Sequence, residues 1–336
     1  MTTAMPPGTG EQVLALTATP ASEPSLEPSD VVEANELVES VDAAGLHLLV
    51  RWPEIEPEPG QFDWSSLEEK LQIFGAGRPR VVTFSVPDTA HRAVPEDLRE
   101  VPFDAAEFEK RYFDALDALL DFLSGYDSEA PTLYLSIGNE VDEYFKGHPG
   151  ELSAYESLVD SAFEHLHQTR AGLPVGITTT FEGTFGADAE TWARIHATAD
   201  AIFFTYYPPY DAAATTLAEQ PLVDLPAMVE YADGRPVVLQ EVGFSSSVDL
   251  GSSEAAQAEF VTNVLRTWSE LGAAVPFLGW YYLHDVSGDR CEEMVNYFAD
   301  DSNTSVWEAF LCHLGLRHSD GTPKAGWDAF VAATGE

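Results

Sequence analysis

Residues 133–140 read Leu-Tyr-Leu-Ser-Ile-Gly-Asn-Glu, and residues 237–241 read Val-Val-Leu-Gln-Glu. Each segment is a short apolar run of the kind that forms a buried strand, and each run ends on a glutamate. Aspartate and glutamate are disfavoured in strands and costly to bury. Of the 57 acidic residues, Glu140 and Glu241 are the two that stand directly at the end of an apolar strand. The repeated placement indicates a pair of residues with a shared function.

Similar apolar runs alternate with helical patterns along the whole chain, which predicts repeated βα units and a parallel sheet. The predicted strands cover residues 13–17, 47–51, 81–85, 133–137, 175–179, 201–207, 237–241 and 277–282. The predicted helices cover about residues 30–44, 65–75, 105–124, 152–170, 189–199, 222–232, 253–271 and 323–334.

Eight strands alternating with eight helices favour an α/β fold, the closed (β/α)8 TIM barrel, built from residues 1–336 as a single domain. Doubly wound open sheets also alternate, but they usually carry a glycine-rich phosphate loop after the first strand. Here the first strand leads into Ala18-Thr19-Pro20. Because TIM-barrel active sites are built at the C-terminal ends of the strands, Glu140 and Glu241 become the catalytic candidates.

Two carboxyl groups facing each other across a barrel mouth suit the cleavage of glycosidic bonds. One carboxyl must be protonated to donate to the leaving oxygen, and the other must be ionised to attack or to activate water. Mutual repulsion and differing environments separate the two pKa values and so divide the roles. Two ordinary surface acids at strand–loop junctions are the alternative interpretation.

The two strand ends, Ser136-Ile-Gly-Asn-Glu140 and Leu239-Gln-Glu-Val-Gly243, resemble those of the clan A glycoside hydrolases. Members of that clan are retaining enzymes on TIM barrels, with catalytic glutamates on strands four and seven. The resemblance implies that Glu140 is the general acid/base and Glu241 the nucleophile. It also implies hydrolysis of β-linked sugars by double displacement, with no metal or cofactor.

Four further residues match the clan's substrate site, each with a structural alternative. Arg51 matches an arginine near the nucleophile or is a structural ion-pair partner, and Asn139 contacts the sugar 2-hydroxyl or caps a turn. Tyr207 hydrogen-bonds the nucleophile or packs in the barrel, and Trp280 forms the aromatic floor of the sugar site or belongs to the core. Many cellulase-like members carry histidines on strands three and six, where this chain has Ser85 or Val86 and Thr205. The family within the clan is therefore left unassigned.

The expected partner is an oligosaccharide or polysaccharide. With 57 acidic and 16 basic residues, the net charge of −41 repels nucleic acid and anionic membranes. No segment approaches the roughly 20 apolar residues of a membrane helix, so no membrane insertion is expected. The acidity resembles that of proteins from salt-adapted organisms, with an acidic secreted bacterial protein as the alternative. The sequence leaves the oligomeric state open.

The prediction of the cellular compartment depends on the first residues of the sequence and on two cysteines. The start, MTTAMPPGTG, has neither the basic nor the apolar region of a signal peptide. An extracellular or cell-envelope protein with its leader removed is favoured over a cytoplasmic one. Cys291 and Cys312 lie without histidine or cysteine neighbours at metal spacing, so they form either a disulfide or two buried thiols.

Two other functions compete with the enzymatic one. A barrel that has lost catalysis and only binds carbohydrate would bind saturably without turnover, and the presence of both glutamates argues against it. A metal-dependent TIM-barrel hydrolase would require a cluster of histidines and aspartates at the strand ends, which this sequence lacks.

Overall fold

The computed structural model describes residues 12–75, 77–126, 130–209, 214–298 and 303–335. Their contacts group the chain into two compact units. Among the described residues, unit 1 comprises residues 45–205 and 235–240, and unit 2 comprises residues 12–44, 206–234 and 241–335. The sequence pattern did not predict this grouping, and the expectation of a single domain stays a prediction.

The barrel-type strands follow the predicted order. They are β1 (Val13–Leu16), β2 (Leu46–Arg51), β3 (Arg80–Ser85), β4 (Thr132–Ser136), β5 (Val175–Gly176 and Thr178–Thr180), β6 (Ile202–Tyr206), β7 (Val237–Val242) and β8 (Phe277–Trp280). A short antiparallel pair, Pro87–Asp88 with His91–Arg92, follows β3. Each of the eight strands overlaps a predicted one, and the bounds differ by at most two residues.

Helices outnumber the predicted eight. Those described are α1 (Pro28–Glu39), α2 (Trp52–Ile55), α3 (Ser65–Phe74), α4 (Ala106–Tyr126), α5 (Val141–Gly147), α6 (Leu152–Thr169), α7 (Phe181–Phe185), α8 (Ala189–His196), α9 (Ala214–Glu219), α10 (Pro221–Ala232), α11 (Glu254–Leu271), α12 (Gly288–Phe298), α13 (Thr304–Leu311) and α14 (Ala325–Thr334). Within the described ranges, no helix is long and apolar enough to cross a membrane.

Unit 1 is built on parallel strand pairs. β2 pairs with β3 from Leu46 opposite Arg80 to Arg51 opposite Ser85, and β3 pairs in turn with β4. The first part of β5 pairs with β4, and its second part pairs with β6. All six residues of β3 are buried, with Val82 and Phe84 on one face of the strand and Val81, Thr83 and Ser85 on the other.

Helix α4 shows why the helices of unit 1 cover this sheet. Its buried residues recur every three or four positions, from Phe108 through Tyr112 and Leu116 to Leu123, and so form one apolar face. Tyr112 stacks on Phe84 of β3 with ring centroids 5.4 Å apart. Removing so large a buried side chain would cost about 3–5 kcal/mol of stability.

Unit 2 pairs β1 with β8 in parallel, from Val13 opposite Phe277 to Leu16 opposite Trp280. Helix α11 begins at an N-cap, where Ser253 Oγ accepts a hydrogen bond from the Ala256 amide. Its apolar face packs on α14 and includes Phe260, which is fully buried. The Lys324 ammonium lies 2.7 Å from the Asp285 carboxylate and ties the start of α14 to the segment after β8.

Candidate active site

The backbone at Glu140 is held in an unusual conformation. After β4 the chain continues through Ile137, Gly138 and Asn139, and Glu140 then adopts the left-handed region, with φ 46° and ψ 47°. A left-handed residue other than glycine costs roughly 1–2 kcal/mol because its Cβ crowds the following carbonyl. Such strain persists only where the surroundings enforce it, and it concentrates at functional sites. The turn directs Glu140 out of the strand just before α5 begins.

Both carboxylate oxygens of Glu140 accept hydrogen bonds from threonine hydroxyls. Thr205 Oγ1 donates to Oε1 at 2.7 Å, and Thr89 Oγ1 donates to Oε2 at 2.8 Å. A hydroxyl can rotate to donate or to accept. The pair can therefore hold Glu140 in one position whether the carboxyl is ionised or protonated, as a group that alternates between acid and base requires.

Asn139, which precedes Glu140, uses both ends of its amide inside the protein. Its Nδ2 donates to Asp88 Oδ1 at 3.0 Å, and its Oδ1 accepts from Gln240 Nε2 at 2.7 Å. The acceptor end is thus engaged by a donor, while Nδ2 retains a second N–H. The predicted contact of Asn139 with a sugar hydroxyl stays a prediction, and the second N–H of Nδ2 is a donor suited to it.

Gln240 connects the polar residues of unit 1. Its side chain is fully buried, and its Oε1 accepts hydrogen bonds from Thr83 Oγ1 at 2.5 Å and from Thr178 Oγ1 at 2.7 Å. Sequence reasoning did not single out Gln240, Thr89 or Asp88. A glutamine inside an otherwise apolar strand, next to a candidate nucleophile, was the available indication for Gln240.

Arg51 lies at the end of β2 and forms two ion pairs. Its Nε donates to Asp88 Oδ2 at 2.5 Å, and its Nη1 lies 3.4 Å from Glu54 Oε1. Asp88 is 1% exposed, so the arginine supplies the charge partner that a buried carboxylate needs. Arg51 itself remains one-third exposed. Its predicted place beside the nucleophile stays a prediction.

Glu241 is 8% exposed in unit 2 and accepts a hydrogen bond from Tyr207 Oη on its Oε2 atom, at 2.9 Å. The structure therefore contains the hydrogen bond that the resemblance implies for Tyr207. The ring also lies tightly over the strand end, because a Cβ added at Gly243 would stand 2.7 Å from Tyr207 Cε1. Glycine at position 243 is what allows this approach.

The predicted role of Trp280 requires correction. Its side chain is 1% exposed and packs edge-on against Phe260 of α11 and Phe330 of α14. An indole enclosed by two helices presents no face to a sugar, so Trp280 is a core residue. Tyr281, the next residue, is half-buried and packs edge-on against Tyr207 with ring centroids 5.8 Å apart.

Burial raises the pKa values of two ionisable groups close to the candidate residues. Desolvation raises the pKa of Asp142, two positions after Glu140, to about 6, although its carboxylate accepts hydrogen bonds from the backbone and hydroxyl of Thr180. In unit 2, burial raises the pKa of Tyr282, with the Glu241 charge adding to the rise and Arg290 opposing it. Across the described ranges no three His, Cys, Asp or Glu residues are grouped as ligands for a metal ion.

The two cysteines form a disulfide. Cys291 in α12 is bonded to Cys312 after α13, with the Cα atoms 5.6 Å apart. The alternative of two free buried thiols is therefore wrong. The bond crosslinks two points 21 residues apart within the segment between β8 and α14.

Solved structures of glycoside hydrolases share this fold at low sequence identity. One is the exo-β-1,4-mannosidase Op5Man5 from Opitutaceae bacterium strain TAV5, with 16% identity over 96% of this chain and a TM-score of 0.68. A second is GH5_18 from Streptomyces cattleya in complex with GlcNAc, with 17% identity over 98% of this chain and a TM-score of 0.69. The chain has the fold of the TIM-barrel glycoside hydrolases.

That fold confirms the predicted (β/α)8 class and the resemblance to clan A at the level of architecture. A family 39 glycoside hydrolase from the gut symbiont Bacteroides cellulosilyticus WH2 also matches, with 14% identity over 97% of this chain, 64% of its own length and a TM-score of 0.61. No family model matches the sequence, and no curated protein is similar to it. The chain spans 59% of the mannosidase and 80% of the Streptomyces protein.

Proposed function

We propose that this protein is a retaining glycoside hydrolase that cleaves β-glycosidic bonds by double displacement. The observation that carries the proposal is the presence of a hydroxyl-bonded glutamate at the ends of both β4 and β7, in a chain with the fold of the TIM-barrel glycoside hydrolases. In that fold the C-terminal ends of the strands form the active-site face.

In the first step a Glu241 carboxylate oxygen attacks the anomeric carbon. The bond from this carbon to the leaving oxygen breaks, and that oxygen takes the proton of Glu140. In the second step the Glu140 carboxylate removes a proton from water, whose oxygen attacks the same carbon and releases the Glu241 carboxylate. Two inversions preserve the anomeric configuration.

The contacts around each glutamate suit its role. Tyr207 donates to Glu241 Oε2 and so fixes the orientation of the carboxylate that attacks the sugar. Thr89 and Thr205 hold Glu140 in both of the protonation states that the cycle needs. A hydrogen bond to a charged group contributes about 1.5–3 kcal/mol to stability, which is enough to favour one position of each carboxylate.

The substrate that we propose is an oligosaccharide with a β-linked sugar at its non-reducing end. The similar structures include an exo-β-1,4-mannosidase and GH5_18 proteins in complex with GlcNAc and with Manβ1-4GlcNAc. With Trp280 in the core, we assign the aromatic contact with the sugar to Tyr281. An aromatic face suits the C–H face of a pyranose.

The experiment is an activity screen with stereochemical analysis of the products. Aryl β-glycosides, including the β-mannoside, are tested beside β-glucans and Manβ1-4GlcNAc, and NMR follows the first-formed anomer. We expect turnover with release of the β-anomer. First-formed α-anomer would contradict double displacement, and saturable binding without turnover by the wild type and by Glu241→Gln alike would identify a carbohydrate-binding protein.

We also propose an extracellular or cell-envelope location. The disulfide between Cys291 and Cys312 supports an oxidising compartment, since such bonds are rare in the cytosol of most organisms. Cell fractionation of the source organism checks this. Recovery of the reduced chain in the cytosolic fraction would contradict the proposal.

A further inference from the structure

A covalently closed pair of helices packs beside Tyr207. Helices α12 and α13 follow β8, and we call residues 288–298 and 303–312, joined by Cys291–Cys312, the disulfide hairpin. Both cysteines are buried in an apolar cluster of unit 2 that also contains Tyr282. Tyr207 and Tyr281 pack against the same cluster, so the hairpin shares its core with the aromatic residues around Glu241.

Phe310 of the hairpin forms an aromatic contact with Tyr207. Their rings meet edge to face, with centroids 5.6 Å apart and planes at 85°. Tyr281 makes the same kind of contact at 5.8 Å and 87°. Because two perpendicular rings and the Gly243 backbone confine it, the Tyr207 phenol has little freedom to swing away from Glu241.

Polar contacts tie the hairpin to the loop that follows Glu241. Ser245 Oγ donates to the Ala309 carbonyl at 2.8 Å, and the Ser246 amide donates to the His313 carbonyl at 3.1 Å. Ala309 and His313 bracket Phe310 and Cys312 in sequence. The segment that carries Phe310 is therefore fixed both by the disulfide and by the chain that carries Glu241.

From these contacts we infer that Phe310, held in place by the Cys291–Cys312 disulfide, is a positioning residue that acts on Glu241 through Tyr207. The inference rests on the proposed function. It gives the disulfide hairpin a part in positioning the nucleophile, although Phe310 itself touches neither the carboxylate nor a substrate in this scheme.

A double-mutant cycle on the rate tests the inference. Phe310→Ala, Tyr207→Phe and the double variant are compared by kcat and KM on the best aryl β-glycoside of the screen. Each preparation is normalised to its active-site concentration with the matching 2-deoxy-2-fluoro glycoside, so that unfolded protein does not count. Phe310→Ala should lower kcat about three- to tenfold with KM little changed, since one edge-to-face pair is lost.

The decisive result is the effect of Phe310→Ala when Tyr207 is already phenylalanine. Without the hydroxyl there is no hydrogen bond to orient, so we expect a further loss of less than about twofold, as coupled residues behave non-additively. Equal losses in both backgrounds would mean that Phe310 only stabilises the fold, and would overturn the inference while the activity of the wild type still supports the proposed function. A wild type that hydrolyses nothing overturns both.

Two further variants test whether the effect on kcat depends on the position of Phe310 or only on the loss of an aromatic ring from the hairpin. Phe298→Ala removes another ring of the hairpin, whose aromatic contacts are with Tyr297 and Trp307, and it should leave kcat within about twofold of the wild type. Replacing both cysteines by serine should lower kcat in the Tyr207 background but not in the Tyr207→Phe background. If the cysteine pair has no effect on kcat, the disulfide does not hold Phe310 in place. If Phe310→Ala does not fold, Phe310→Leu provides the same cycle.

Discussion

Substitution of Gln240 tests the polar network of unit 1, by which we mean the hydrogen bonds of Gln240 with Asn139, Thr83 and Thr178. Replacing it by leucine keeps most of the volume and removes three hydrogen bonds, one to Asn139 Oδ1 and one each from Thr83 and Thr178. The two threonine hydroxyls keep other partners, because Thr83 Oγ1 lies 3.1 Å from His47 Nε2 and Thr178 Oγ1 lies 2.7 Å from Ser136 Oγ. The Asn139 carbonyl oxygen loses the amide donor that the network provides.

The loss can be given a magnitude. A buried acceptor left unsatisfied costs about 1–3 kcal/mol, and each of the other hydrogen bonds contributes about 1 kcal/mol or less once alternatives exist. We expect Gln240→Leu to destabilise the protein by about 2–4 kcal/mol, which for a chain of 336 residues lowers Tm by roughly 3–6 °C. Activity should fall as well, because Asn139 no longer holds its orientation beside Glu140.

Calorimetry and initial rates on an aryl β-glycoside provide the assay. The matched control is Gln168→Leu, an exposed glutamine of α6 whose side chain donates to Glu164, and its effect on stability should stay within about 0.5 kcal/mol. Gln240→Glu keeps the acceptor for both threonines but loses the donor to Asn139, so it separates the two halves of the network. A Gln240→Leu protein with unchanged Tm and unchanged rate would refute the network argument.

Three other predictions follow from the acid/base residue, from a buried carboxyl and from the charge. Glu140→Gln should reduce hydrolysis of substrates with poor leaving groups far more than that of activated aryl glycosides, which need little protonation, and equal losses would contradict the assigned role. Burial raises the pKa of Asp142 from 3.8 to about 6, so the stability gained from its protonated form is full below pH 3.8 and is lost as the pH rises through 6. The Tm of Asp142→Asn relative to the wild type should therefore increase between pH 5 and pH 7, and a constant difference would count against this burial effect. Added sodium chloride should raise Tm between about 0.1 M and 1 M, because salt screens the repulsion within a chain of net charge −41. Over this range the Debye length falls from about 10 Å to 3 Å. A flat or falling Tm would refute the salt-adapted interpretation.

Much of the fold could be predicted from the sequence, because parallel strands that are buried on both faces have continuous apolar sequences. The segments around Val81, Ile202 and Val237 are examples, and each became a strand within two residues of its predicted bounds. The short helices α5, α7 and α9 were not predicted, since five to seven residues give too little periodicity to distinguish a helix from a loop. Helices α12 and α13 were also missed; they pack in an apolar cluster that contains the disulfide, a tertiary arrangement that the sequence pattern does not show.

The candidate site could be predicted where a polar residue stands in or directly after an otherwise apolar strand. Glu140 and Glu241 stood out because a carboxylate at the end of an apolar strand needs partners, and the structure supplies hydroxyl donors to both. Trp280 was misjudged because adjacent strand residues point to opposite faces, and a pattern cannot say which of Trp280 and Tyr281 faces the helices. Asp88 and Thr89 lie in the short hairpin after β3, whose fold depends on tertiary contacts such as the Arg51 ion pair.

The central claim, that Glu241 is the nucleophile and Glu140 the acid/base, is tested most directly by the anomeric configuration of azide rescue products. Glu241→Ala leaves space beside the anomeric carbon, and azide entering there displaces the leaving group once, so an activated β-glycoside should give the α-glycosyl azide. Glu140→Ala retains the glycosyl-enzyme, and azide then completes a second displacement to give the β-glycosyl azide. A β-azide from Glu241→Ala, or near-normal activity of that variant without azide, would contradict the account.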